Sequence, residues 1–237
     1  MIATSRDGDV VIIELQREDR RNALNLELCN AIRSAADDAV ASGARVIVIT
    51  GKGSAFCAGA DLDGVYGPDF LEALYGMLHH LVALPVPLIA AVNGAAIGGG
   101  TQLAMACDLR VADDKAKFAV PVARNGLAVD AWTIRTLVRL AGEGRARQML
   151  IAAETLDRKA AIDCGLADAH GSLKYAVAWA HEIAQLAPLA IAHNKLVLNG
   201  ATDDVIEKSF AAVWASADVQ EAADARAQRR APVFRGI

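Results

Sequence analysis

The sequence predicts one α/β domain that ends in a helical region. Apolar runs of strand length alternate with amphipathic helical spacings through the first half of the chain, and the strand signal stops after about residue 130. Two glycine-bearing turns also stand where strands give way to helices. With 237 residues, 54% of them hydrophobic and 22% charged, the chain can bury a substantial core. There is no internal repeat, low-complexity tract or linker rich in Pro, Gly or Ser to divide it.

The elements follow in order. The runs DVVIIELQ (9–16), ARVIVIT (44–50), PLIAAV (87–92), DLRVAD (108–113) and AKFAVP (116–121) read as strands, most of them buried. Between them, Leu28, Ile32, Ala35 and Ala39 mark one helix face, and Phe70, Leu74, Met77, Leu78 and Leu81 mark another. Beyond residue 130 only helical patterns remain, through RARQMLIAAE, RKAAIDCG, SLKYAVAWAHEIAQL, LAIAHNKLVLN and VIEKSFAAVWAS.

Composition excludes several classes. A formal net charge of −4, with basic residues scattered except for a short RAQRR run, argues against nucleic acid as a partner. Cys29, Cys57, Cys107 and Cys164 lie far apart without a CxxC pair, so neither a zinc site nor a disulfide framework is expected. His79 and His80 are adjacent without obvious carboxylate partners, and His170, His181 and His193 are isolated, so no metal is expected. Residues 81–107 carry no charge, but Pro85, Pro87, Asn93 and three consecutive glycines break the stretch, so no membrane span is expected. The polar start MIATSRDGDV lacks the pattern of a secretion signal, and a cytoplasmic location is expected.

The chemical interest lies in the two turns, GKGSAFCAGADLDG (51–64) and NGAAIGGGTQLAMA (93–106). In the first, Gly59 and Ala60 precede Asp61 and a short helix; in the second, Gly98, Gly99 and Gly100 open a helix. Backbone N–H groups at a helix start lack intrahelical partners and lie at the positive end of the dipole. Two such turns facing one another can donate to a single oxygen, as an enolate or tetrahedral oxyanion requires, and glycine lets a ligand approach closely. Tight packing corners use the same residues, and spacing leaves both readings open. Neither stretch fits a phosphate-binding GxGxxG or GxxxxGK[ST] pattern.

RRNALN (20–25), GKGSAFCAGADL, PLIAAVNGAAIGGGTQLAMACDLRVA and AKFAVPVARNGL, in this order, resemble the enoyl-CoA hydratase/isomerase, or crotonase, family. RARQMLIAAETLDRKAAIDCGLAD and DVQEAADARAQRRAPVFRG are similar to its downstream segments, so the likeness spans nearly the whole chain. It implies a spiral of ββα units over residues 1–189 and a helical region over 190–237 that builds a homotrimer or a dimer of trimers. It implies a coenzyme A thioester as ligand or substrate, fatty acyl-CoA in particular, and no separate cofactor. By the same resemblance Ala60 and Gly99 form the oxyanion hole, and Arg21, Ala23, Ala58, Asp61, Leu62 and Lys195 lie against the CoA moiety. Arg20, Arg229 and Arg230 are further basic candidates, for which a solvated face is the alternative.

The departures matter as much. Active hydratases of the family place one glutamate three residues after the oxyanion-hole glycine and another in a Pro-Glu segment after the next strand. Those positions here hold Gln102 and Val122, neither of which can take or give a proton. Each general acid or base is commonly worth about 10²- to 10⁴-fold, so hydration should be weak or absent. GLAVDAWTIRTL (126–137) resembles members that isomerise dienoyl-CoA or displace halide from an aryl-CoA, which implies Asp130 as base or nucleophile. An N-cap aspartate explains the same residue. Trp132 either shapes the acyl pocket or fills core.

Three functions follow. The first is an acyl-CoA binder in lipid metabolism that kept the thioester clamp, resembling glutamate-deficient members of mycolate-producing bacteria, with a lipid-synthesis protein as partner. The second is an active isomerase, hydrolase or residual hydratase using Asp130. The third is an assembly partner that uses the fold as a scaffold.

Overall fold

The computed structural model describes residues 1–61 and 67–237. Strands β1 (Ile2–Asp7) and β2 (Val10–Leu15) form an antiparallel hairpin, and α1 (Leu26–Ala41) leads to β3 (Val46–Gly51) and β4 (Ala55–Cys57). Then come α2 (Pro68–Ala83), β5 (Leu88–Val92), β6 (Ala95–Ile97), α3 (Gly99–Ala106), β7 (Leu109–Ala112) and β8 (Lys117–Ala119). After α4 (Ala131–Leu150), which bends at Gly142, lie β9 (Thr155–Asp157), α5 (Arg158–Asp163), β10 (Ala169–His170) and α6 (Leu173–Ala184). Helices α7 (Pro188–Leu198), α8 (Asp203–Ala215) and α9 (Ala217–Gln228) complete the chain.

Each turn of the chain contributes one strand to each of two sheets. β3, β5 and β7 pair in parallel within a sheet ordered β1-β2-β3-β5-β7-β10, while β4, β6 and β8 pair in parallel within a sheet ordered β4-β6-β8-β9. This is the spiral of ββα units expected above. Strand alternation divides the larger sheet: Ile47 and Ile49 join a core with α1, α2 and α3, whereas Val46 and Val48 pack with Ala176, Ala180 and Ala184 of α6. Both faces are covered, which is why β3 reads as an unbroken apolar run.

Local signals set the helix ends. Asn25 caps α1, its side chain accepting from the Leu28 N–H at 2.9 Å, and Leu28, Ile32, Ala35 and Ala39 form the buried face. Phe70, Leu74, Met77, Leu78 and Leu81 do the same for α2.

One expectation requires correction. Strand structure continues past residue 130, because β9 pairs antiparallel with β8 and β10 pairs parallel with β7. These strands are two and three residues long, too short to impose an alternating pattern. Helix α7, which begins at Pro188 beside the boundary expected at residue 189, sends Lys195 into the core: its ammonium donates to Asp108 Oδ2 at 2.7 Å and to the Val86 carbonyl at 3.0 Å. Helix α8, by contrast, packs on α7 with no fully buried residue, and Phe210 and Trp214 are 54% and 65% exposed. The short helix expected after Asp61 lies outside the described residues.

Candidate functional site

A cleft of about 730 Å³ opens where the two glycine turns meet. Its floor is backbone, from Ala58–Asp61 and Ile97–Gly99; Phe70, Leu74 and Tyr75 of α2 form one wall, and the segment from Pro121 to Val129 contributes another.

The turns face one another because β4 and β6 are paired. Gly59 has φ +98° and Gly98 has φ +54°, values that favour glycine, so each of the next residues starts from a backbone direction that a side chain would strain. A Cβ on Gly99 would lie 3.6 Å from the Ala60 nitrogen, which makes the two N–H groups close neighbours. The Gly98 N–H is held by the Ala119 carbonyl at 2.7 Å, while Ala60 and Gly99 donate to nothing among the described residues. Two free donors side by side, that of Gly99 at the start of α3, are suited to one anionic or strongly polarised oxygen.

The RRNALN segment is fastened beside this turn. The Leu24 N–H donates to the Gly59 carbonyl at 2.7 Å, the Asp61 N–H donates to the Leu24 carbonyl at 2.8 Å, and the Ala58 N–H donates to the Arg21 carbonyl at 3.0 Å. Asn22, fully buried with φ +57°, closes the turn: its Nδ2 donates to the Lys52 and Ala55 carbonyls and its Oδ1 accepts from the Arg17 N–H. The structure therefore gathers Arg21, Ala23, Ala58, Ala60, Asp61 and Gly99 in one neighbourhood. Asp61 pairs with Arg17 at 2.9 Å. Leu62 lies outside the described residues.

Gln102 and Val122 both line the cleft. Gln102 sits in the first turn of α3, 2% exposed, and its Nε2 donates to Thr133 Oγ1 at 2.7 Å. Val122 follows Pro121 and packs partly against the core. No group among the described lining residues at these two positions can exchange a proton.

Three sequence candidates stand apart. Asp130 caps α4: its Oδ1 accepts from the Thr133 N–H at 3.0 Å and from the Thr133 hydroxyl at 2.6 Å, and its Oδ2 lies 3.6 Å from His79 Nε2. Trp132 borders a separate cavity of about 260 Å³ with Met105, Ala106 and Thr136, and meets His79 edge-on at 5.5 Å between ring centres. Lys195, expected at the CoA moiety, is 6% exposed and engaged with Asp108 behind α2, so its charge is already neutralised inside the fold. Cys57, in the first turn, is fully buried, and burial pushes its thiol up to about 12, which leaves it protonated.

Thr133 and Tyr75 were not singled out in the sequence. Thr133 had a signal, since it stands three residues after an aspartate that opens a helix, and the hydroxyl at that position can reach both the cap and the neighbouring helix. The Tyr75 hydroxyl accepts from the Asp130 N–H at 3.2 Å, an interaction across 55 residues that no local pattern announces.

Among the described residues no helix is long and apolar enough to cross a membrane, and no group of three His, Cys, Asp or Glu side chains is arranged to hold a metal ion.

Comparison with known proteins extends the picture. Residues 5–236 match the family model described as enoyl-CoA hydratase/isomerase. The chain is 47% identical over 244 residues to a probable enoyl-CoA hydratase of Mycobacterium tuberculosis, with 100% of each chain covered. It is 33% identical over 254 residues to the 2,3-dehydroadipyl-CoA hydratase of Escherichia coli, covering 99% of this chain and 98% of the relative. Among solved structures, an enoyl-CoA hydratase from Bacillus anthracis matches with a TM-score of 0.91 at 27% identity, covering 100% of this chain and 99% of that one.

Proposed function

Since the chain belongs to the enoyl-CoA hydratase/isomerase family, we propose that it binds fatty acyl-CoA thioesters in lipid metabolism and has lost most or all hydratase activity. One observation carries this reading: the cleft keeps two unpartnered backbone donors, Ala60 and Gly99, while the neighbouring positions where the chemistry would need carboxylates hold Gln102 and Val122. The thioester carbonyl accepts from the two N–H groups, and the acyl chain continues past Gln102 and Val122 along the apolar wall of Phe70 and Leu74. The CoA moiety lies over the segment from Arg21 to Leu24. A backbone clamp does not depend on acid–base side chains, so binding survives where proton transfer does not.

The alternative, an isomerase, hydrolase or residual hydratase that uses Asp130, has weaker support. The Asp130 carboxylate is already bonded to Thr133, and Asp130 does not line the cleft. The exposed Phe210 and Trp214 of α8 support a homotrimer, or a dimer of trimers, joined through residues 190–237. A cytoplasmic protein that passes its ligand to a lipid-synthesis partner fits these features.

Calorimetric titration with an acyl-CoA series, run beside turnover assays on the same thioesters, tests the reading. Binding without turnover supports it; clear turnover promotes the Asp130 alternative; no binding of any acyl-CoA leaves the scaffold role.

A further inference from the structure

We infer that Leu24 is a positioning residue for both donors of the clamp: its main chain aims the Ala60 N–H, and its side chain spaces Gly99 from Ala60. This deepens the acyl-CoA reading and rests on it.

The main-chain role follows from the geometry of one peptide unit. The Gly59 carbonyl and the Ala60 N–H belong to the same trans peptide, in which the two point in opposite directions. Leu24 holds that carbonyl, its N–H donating at 2.7 Å, so the Ala60 N–H is turned away from Leu24. Leu24 is fully buried and does not line the cleft, whereas Ala60 does, so the side away from Leu24 is the cleft. The Asp61 N–H donates to the Leu24 carbonyl at 2.8 Å and completes an isolated parallel bridge between Leu24 and Ala60.

The turn needs such a brace. Gly59 has φ +98°, and a Cβ there would meet the Ile97 carbonyl oxygen at 2.6 Å, so only glycine fits. Glycine places little steric limit on rotation of the peptide that follows it. Without the bond from Leu24, the Gly59 carbonyl can swing to where the N–H points, and an acceptor would then face the thioester oxygen.

The second donor is aimed by the same rule. The Gly98 carbonyl accepts from the Gln102 N–H at 3.0 Å, which turns the Gly99 N–H outward from the start of α3. What remains to be set is the spacing of the donors. The point that a Gly99 Cβ would occupy lies 3.1 Å from Leu24 Cδ1 and 3.6 Å from the Ala60 nitrogen. The Leu24 side chain therefore packs on Gly99 while its backbone holds the peptide of Ala60. Asn22 anchors this wedge two residues earlier, through the Lys52 and Ala55 carbonyls.

The experiment is infrared difference spectroscopy of the full chain saturated with octanoyl-CoA that carries an isotopic label at the thioester carbonyl, beside calorimetric affinity. The carbonyl band falls in frequency as the oxygen accepts stronger hydrogen bonds, and loss of protein stability alone does not move it. In the natural protein it should lie below its position in buffer. Leu24→Ala should raise the band and weaken binding about 3- to 10-fold, the range expected for one neutral hydrogen bond. Leu24→Met, of nearly equal volume, should restore both. Replacing Leu24 by its α-hydroxy analogue, which puts an ester where the N–H was and keeps the side chain, should also raise the band. Leu28→Ala, an equal deletion at a fully buried position of α1, should lower the melting temperature and leave the band in place. If Leu24→Ala does not fold, Leu24→Val makes the same comparison with a smaller deletion. A band at the parent position in the folded side-chain variant overturns the spacing role, and one there in the α-hydroxy protein overturns the aiming role. An equal rise in Leu28→Ala overturns both by reducing the effect to loose packing. Octanoyl-CoA that binds the natural protein with its band no lower than in buffer overturns the clamp itself, and failure to bind at all overturns the acyl-CoA reading beneath it.

Discussion

The Lys195 ammonium lies 2.7 Å from Asp108 Oδ2, joining α7 to the turn that precedes β7 across 87 residues of sequence. Asp108 also accepts from the Leu88 N–H at 2.8 Å, so one carboxylate holds a helix and the start of β5 together. Removing the lysine leaves a partly buried carboxylate with less compensation.

Lys195→Ala should therefore lower the stability of the fold by about 3 kcal/mol. The expected result is a clear fall in melting temperature, while acyl-CoA affinity, measured well below that temperature, stays near the parent value. A tenfold loss of affinity in the folded variant would return Lys195 to the CoA site.

Hydration of crotonyl-CoA should fall far below the usual enzyme range of about 1 to 10³ per second, because Gln102 and Val122 supply neither acid nor base. Turnover within that range would mean that the reacting groups lie elsewhere. Gln102→Glu combined with Val122→Glu should raise whatever rate the natural protein has, since carboxylates can exchange the proton that an amide and an isopropyl group cannot.

Gly99→Val should abolish acyl-CoA binding in a protein that circular dichroism shows to be folded. A Cβ at this position already lies 3.1 Å from Leu24 Cδ1 and 3.6 Å from the Ala60 nitrogen, and two further methyl groups would crowd the donors. Saturated acyl-CoA should raise the melting temperature of the natural protein and of Asp130→Asn by similar amounts, since a ligand that binds only the folded state stabilises it by mass action. Tight binding by Gly99→Val together with none by Asp130→Asn would make Asp130 the centre of the site.

Light scattering at micromolar concentration should give the mass of three or six chains. Introducing charge on the exposed face of α8, as Phe210→Asp with Trp214→Asp, should shift the mass toward one chain. A natural protein that stays monomeric would remove the interface proposed for residues 190–237.

Much of this could be read from the chain, and the rest failed for identifiable reasons. Strands such as β3 and β5 are buried on both faces and so appear as apolar runs; α1 and α2 carry their buried faces at helical spacing. The glycines of the two turns were visible, as were Gln102 and Val122, both of which line the cleft. β4 and β6 were hidden inside those turns because each has only three residues. The buried role of Lys195 could not be seen, since a lysine beside apolar neighbours reads alike whether its ammonium faces solvent or an aspartate 87 residues away. Asp130 supported two roles in sequence, and the cap became evident only with Thr133 placed against α3.

The pairing of β4 with β6 brings together the two free N–H groups proposed to hold the thioester, and because both belong to the main chain, that has a bearing on how such a site can be altered. Every amino acid except proline supplies the same N–H, so the grip on a ligand is written in a part of the molecule that nearly all point mutations leave unchanged. The proton-transferring groups are side chains and can be exchanged one codon at a time. A protein built this way can lose a reaction and keep its cargo, becoming a carrier without passing through a form that holds nothing.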